Sequence, residues 1–141
     1  MENIHFLLMK SNALLSKKIL KQANKIGLSP GQPKILEYLS THGEAEQKAI
    51  AAYCEIEQTT VGNILWRMED IGLIIRKKKP GNRRSVYVSL TETGKEYASE
   101  LSLIFASAEK AALKDFSKEE IEILLNLLNK LYNSMKKEAI E

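Results

Sequence analysis

The sequence is short of the residues that most chemistry needs. Among 141 residues it has one cysteine, Cys54, and two histidines, His5 and His42. A single cysteine closes no intramolecular disulfide, so a reducing cytoplasm is the simplest home. Two separated histidines, with no cluster at ligand spacing, leave a transition-metal site without donors, and no metal is expected. No glycine-rich phosphate loop, metalloprotease helix or nucleophile elbow occurs, which argues against an enzyme; no cofactor is expected. No apolar run approaches the ~20 residues that cross a bilayer, so no membrane partner is expected. The apolar run within MENIHFLLMKSN follows a glutamate and precedes no small-residue cleavage site, so it reads as a helix that stays in the mature protein.

What is present is a globular composition and one local excess of charge. Hydrophobic residues make up 44% and charged residues 28%, the balance of a folded domain rather than a disordered chain. The formal net charge is only +3, yet Arg76, Lys77, Lys78, Lys79, Arg83 and Arg84 fall in one stretch with no acidic residue. A packed core has no use for such a basic loop, whereas a polyanion does.

Taken in order, the chain opens with an apolar helix from Ile4 to about Ile26, ended by Gly27. Ser29-Pro30-Gly31-Gln32 fits a helix start, with Ser29 at the cap, Pro30 at the first helical position and Gln32 returning a hydrogen bond. That second helix uses Ile35, Leu36 and Leu39 and stops around His42-Gly43. A short third helix, roughly Gln47 to Cys54, offers Ile50 and Tyr53 to the core. After Glu55-Ile56, a weakly capped fourth helix carries Val61, Ile64, Leu65, Met68 and Ile71 as one apolar stripe at helical period. Thr59, Gly62, Asn63 and Trp66 then point outward, with the Trp66 ring expected to fold back against the wing. Gly72 suits a left-handed cap. Leu73-Ile75 and Val86-Leu90 flank the turn residues Pro80-Gly81-Asn82 and predict that wing, a two-stranded hairpin with a basic tip. Thr91 caps a fifth helix running to about Lys114. Ser117 and Glu120 form a capping box for the last helix.

Two short helices joined by a tight turn, with a basic hairpin after them, predict a winged helix-turn-helix: a mainly α fold with a small β-hairpin wing. Thr59 and Asn63 are candidates for base edges, because asparagine pairs with adenine and a threonine methyl meets a thymine methyl. Gln58 and Thr60 lie where phosphates or bases are in reach. Arg67 fits a phosphate contact or an ion pair with Glu69 or Asp70. Arg76, Lys77, Lys78, Lys79 and Arg83 are expected on phosphates, which give affinity without sequence choice. Cys54, beside Tyr53 with no basic neighbour in sequence, fits packing better than redox sensing. Both terminal helices are too apolar for a monomer. Ile4, Leu7 and Leu8 at one end, and Leu124, Leu128, Leu131, Tyr132 and Met135 at the other, predict a homodimer with interleaved termini. The expected organisation is one compact chain: residues 1–28 and 92–141 for dimerisation and linkage, 29–91 for DNA. The rival reading is a winged-helix module that docks an acidic protein through its basic hairpin.

Asn82-Arg83-Arg84, five residues, Leu90-Thr91 and then Thr93-Gly94 resembles the wing signature of the MarR family of winged helix-turn-helix regulators. Thr60-Val61, Arg67-Met68-Glu69 and Gly72-Leu73 match the family's recognition helix and exit turn. In that pattern Asn82 stands where an aspartate is usual, and Gly62 places no side chain where a base-reading residue often stands. The resemblance implies a homodimer on a pseudo-palindromic double-stranded operator, commonly a repressor. It implies that Arg84 reaches into a minor groove, where negative potential is concentrated. It further implies a small aromatic effector bound between the dimerisation and DNA-binding parts, on residues that the sequence leaves unknown.

Overall fold

Short-range signals decide where each helix begins and ends. The computed structural model describes residues 1–140, with the side chains of Arg83 and Ile140 outside the described set. Helix α1 (Ile4–Lys25) opens on Asn3, whose Oδ1 accepts the Phe6 N–H at 3.0 Å. It closes on Gly27, at φ 90°, with Leu28 N–H donating to the Ala23 carbonyl and Gly27 N–H to Asn24, both at 3.0 Å. This paired ending turns the chain sharply, and Ala23 and Leu28 are both buried beside it.

Helix α2 (Gln32–His42) begins later than the sequence suggests. Ser29 is not its cap and Pro30 is not its first residue. Residues 29–32 form a tight turn with Pro30 and Gly31 at its centre, closed by Gln32 N–H to the Ser29 carbonyl at 3.1 Å. Gly31 takes φ 86° and ψ −26°, the left-handed position of a type II turn, which cannot lie inside a helix. The expected return bond does form: Gln32 Oε1 accepts the Ser29 N–H at 2.9 Å. Helices α3 (Gln47–Cys54) and α4 (Gln58–Asp70) come next. Between them Glu55 holds φ 53°, ψ 49°, while Ile56 N–H donates to the Ala51 carbonyl at 3.0 Å. As the sequence suggests, α4 starts without a side-chain cap on Glu57.

The sheet is larger than a two-stranded hairpin. Strands β1 (Ala45–Glu46), β2 (Ile74–Lys79) and β3 (Asn82–Leu90) form an antiparallel sheet in the order β1-β3-β2. Two residues of β1 show no period, so nothing in the sequence announces that strand. The basic residues expected in a loop lie within β2 and β3, leaving only Pro80-Gly81 at the turn. Because β2 is an edge, its lysines can stand in water and also discourage pairing with another sheet. The ladder is irregular: Lys77 pairs with Tyr87 but Lys79 with Asn82, so two residues of β2 match five of β3. The surplus bulges, a device that re-aims side chains near the end of a ladder.

Helix α5 (Glu92–Ala112) ends somewhat before Lys114, and α6 (Lys118–Ile140) completes the chain. The capping box of α6 is present in both halves: Ser117 N–H donates to Glu120 Oε1 at 2.9 Å, and Glu120 N–H to Ser117 Oγ at 3.1 Å. The core gathers Ile35, Leu36 and Leu39 of α2, Ile50 of α3, Val61, Leu65 and Met68 of α4, Leu73, Ile74 and Val88 of the hairpin, and Leu101 of α5. Two predicted core contacts fall outside it. Ile71 is the C-cap of α4 and 53% exposed. Tyr53, on the last turn of α3, is 62% exposed and packs on Tyr38 and His42, with ring centroids 4.8 and 4.9 Å away. The chain divides into two compact units, Met1–Ala108 and Glu109–Glu141.

Candidate nucleic-acid interface

The apolar stripe of α4 fixes which side of the helix faces out. With Val61, Leu65 and Met68 fully buried, Gln58, Thr59, Thr60, Asn63 and Arg67 are exposed. Trp66 joins them at 60% exposure instead of folding back on the hairpin. Gly62 also differs from expectation: it is half-buried, and a Cβ there would lie 3.1 Å from Gln47 Nε2 of α3. The glycine therefore faces the partner helix of the helix-turn-helix. Since Gln47 meets it with the end of a flexible chain, Gly62→Ala should raise stability by about 0.5–1 kcal/mol through helix propensity. Urea unfolding checks this; a lowered midpoint would mean Gln47 cannot yield.

One junction ties this helix to the hairpin and to α5. Gly72, at φ 82°, turns the chain out of α4, and Leu73 N–H donates to the Met68 carbonyl at 2.9 Å. Thr91 then binds both sides of the exit. Its Oγ1 donates to the Gly72 carbonyl at 2.6 Å and accepts the Gly94 N–H at 3.0 Å, while its own N–H donates to the Leu73 carbonyl at 3.1 Å. Thr91 is thus both the N-cap of α5 and a clamp on the recognition helix's exit.

The wing's cations divide into two groups. Arg76 is half-buried and engaged by Glu69, which accepts its guanidinium at 3.2 Å and its backbone N–H at 3.1 Å. Glu69 is thereby taken up by Arg76, and among the described residues no ion pair with Glu69 or Asp70 holds Arg67. Lys79 donates to Glu44 at 2.7 Å and lies 4.3 Å above the Tyr87 ring centroid. The hydrogen bond from Lys79 holds the Glu44 carboxyl below its ordinary range, and the same bond raises the lysine. Lys77, Lys78, Asn82 and Arg84 stand exposed. The Arg83 side chain lies outside the described residues. Arg84 shares a groove of about 220 Å³ with Gln58 at the start of α4 and with Gln47 and Lys48 of α3. The fold therefore brings the wing arginine and the start of the recognition helix to one surface. Sequence reasoning missed Glu44 and Glu46, because the short strand β1 that sets them against β3 has no period to announce it. Tyr87 OH donates to Glu46 at 3.2 Å.

Cys54 Sγ is 3.8 Å from the Lys34 carbonyl, and burial pushes its thiol up, which disfavours the thiolate that redox sensing needs. A cleft of about 280 Å³ is lined by Ile19 and Leu20 of α1, Pro30, Pro33 and Lys34 around the start of α2, and Phe105 of α5. Ile4, Leu7 and Leu8 are exposed along α1. On α6, Leu124 and Leu131 are half-covered, while Leu128, Tyr132 and Met135 are exposed. None of the described helices is long and apolar enough to cross a membrane.

A short helix, a tight turn, an outward-facing second helix and a basic hairpin clamped to its exit define a winged helix-turn-helix. The MarR family model matches residues 28–86. The chain is 30% identical over 118 residues to the uncharacterized HTH-type transcriptional regulator YwoH of Bacillus subtilis, covering 84% of this chain and 85% of the relative. Among solved structures, a MarR-family regulator from Listeria monocytogenes complexed with a 26mer DNA superposes with a TM-score of 0.92 at 22% identity, covering 98% and 92% of the two chains. NadR in complex with 4-hydroxyphenylacetate superposes with a TM-score of 0.76 at 25% identity, covering 93% of each. The chain belongs to the MarR family of DNA-binding transcriptional regulators, which are not enzymes.

Proposed function

We propose that this protein is a cytoplasmic repressor that binds a pseudo-palindromic operator as a homodimer and releases it when a small aromatic compound binds. The observation that carries the DNA reading is the groove shared by Gln58 of α4 and Arg84 of the wing, with Thr59 and Asn63 exposed on the same helix. In a symmetric dimer each α4 enters a major groove about one helical turn from its twin, and each wing tracks the backbone to the neighbouring minor groove. The exposed apolar residues of α1 and α6 supply surface for the second copy. The effector's place is the cleft beside Phe105, where Lys34 suits an aromatic carboxylate such as the one NadR holds.

Fluorescence anisotropy on the DNA upstream of the protein's own gene, against a scrambled duplex and across a salt titration, tests this reading. Tight, sequence-preferring binding that weakens log-linearly with salt is expected. Arg84→Ala should cost about 1–3 kcal/mol on the preferred duplex. Unchanged affinity would remove Arg84 from the site. Equal weak binding of both duplexes with no salt slope would instead favour an acidic protein as the wing's partner.

A further inference from the structure

A cation already paired with a carboxylate on its own chain must give up that partner to meet a phosphate. At the wing tip Lys79 is held on three sides. Its ammonium is 2.7 Å from Glu44 Oε1 and 4.3 Å above the Tyr87 ring centroid, and its backbone pairs with Asn82 across the turn. Glu44 is itself fixed, because Ser89 Oγ donates to its second oxygen at 3.2 Å. Lys77 and Lys78, beside Lys79 on the same strand, are exposed and form no ion pair among the described residues; Lys77 acts on Glu44 only through its charge at longer range. A carboxylate and a phosphate offer an ammonium the same chemistry. Glu44 thus takes the place at Lys79 that the DNA backbone would otherwise take.

From this we infer that Glu44 is a specificity-determining residue, an internal stand-in for phosphate that keeps Lys79 out of sequence-independent DNA binding. The inference rests on the DNA-binding reading above. Phosphate contacts add affinity for every duplex alike, each steepening the log–log salt slope by about 0.9. Neutralising one wing-tip lysine from within lowers binding to random DNA without touching the groove-facing residues of α4. The specificity ratio, on which a regulator among many competing sites depends, rises accordingly.

The test uses the full-length protein and a mixed-sequence duplex, so no operator need be known. Glu44→Gln keeps an oxygen for Ser89 but loses the charge. It should steepen the salt slope by about 0.9 per bound subunit and tighten mixed-sequence binding roughly 5- to 10-fold per subunit near 0.1 M salt. Adding Lys79→Met to Glu44→Gln should return the slope to the wild-type value. Glu100→Gln is the control, because Glu100 is exposed on α5 and forms no ion pair among the described residues. Circular dichroism melts confirm that each variant is folded. An unchanged slope in Glu44→Gln, a slope that stays steep in the double variant, or equal steepening in Glu100→Gln would each overturn the inference. Failure of the wild type to bind either mixed-sequence or upstream DNA at any salt would instead bring down the DNA-binding reading beneath it.

Discussion

Gly94→Ala is expected to destabilise the protein by about 2–3 kcal/mol, a large fraction of what a small domain has. Gly94 is buried in the first turn of α5, and its Cα faces the carbonyl oxygen of Leu73. A methyl group there would collide with that oxygen and press on the Leu90 side chain. The oxygen cannot move aside cheaply. It already accepts the Thr91 N–H at 3.1 Å, in a turn whose other carbonyl, that of Gly72, accepts Thr91 Oγ1 at 2.6 Å. Relief therefore requires α5 to lift from the exit of α4 and loosen the clamp that joins the recognition helix to the long helix. Urea unfolding measures the loss, with the exposed α5 substitution Ser102→Ala as a control expected within about 0.5 kcal/mol of wild type. An unfolding midpoint equal to the control's would show that the junction is softer than its geometry states.

The same junction shows how much of this fold was legible in the sequence, and why. Gly72, Thr91 and the Ser117–Glu120 box were readable because caps are local: a side chain meets a backbone group a few residues away. The stripe of α4 was readable because helical period imposes a face, and Val61, Leu65 and Met68 lie where that period puts them. Gly31 misled because serine and proline together imitate a helix start, and only the left-handed glycine after them decides for a turn. Gly62, Tyr53 and Trp66 could not be placed by period alone. The half-buried side of Gly62 is set by α3, and Tyr53 leaves the core to stack on Tyr38 and His42. The candidate site obeyed the same division. Exposure of Gln58, Thr59 and Asn63 comes from the stripe, and the run of positive charge is plain in the sequence. Which cations remain free is not legible there, because Glu44 meets Lys79 and Ser89 only across the sheet, and the pairing of β1 with β3 left no trace in composition or period.

Leu128→Glu is expected to convert the proposed homodimer into folded single chains. Along α6 the row Ile121, Leu124 and Leu131 is half-covered within one chain, whereas Leu128, Tyr132 and Met135 beside it are exposed. A carboxylate at position 128, 41% exposed in the single chain, can reach water there and should leave the chain folded. In a dimer that covers this face it would be taken out of water with no cation introduced to meet it. The effective cost is on the order of 3 kcal/mol or more per buried carboxylate, and two-fold symmetry buries two. Together they weaken association roughly 10⁴-fold. Sedimentation velocity reads the change in mass, and circular dichroism separates dissociation from unfolding. Operator affinity should fall with dimerisation, since two half-sites bound by linked subunits gain from effective concentration and two free subunits do not. A wild-type-sized dimer carrying Leu128→Glu would place the interface on another face of α6, and the apolar residues Ile123 and Leu127, both exposed, would be the next to test.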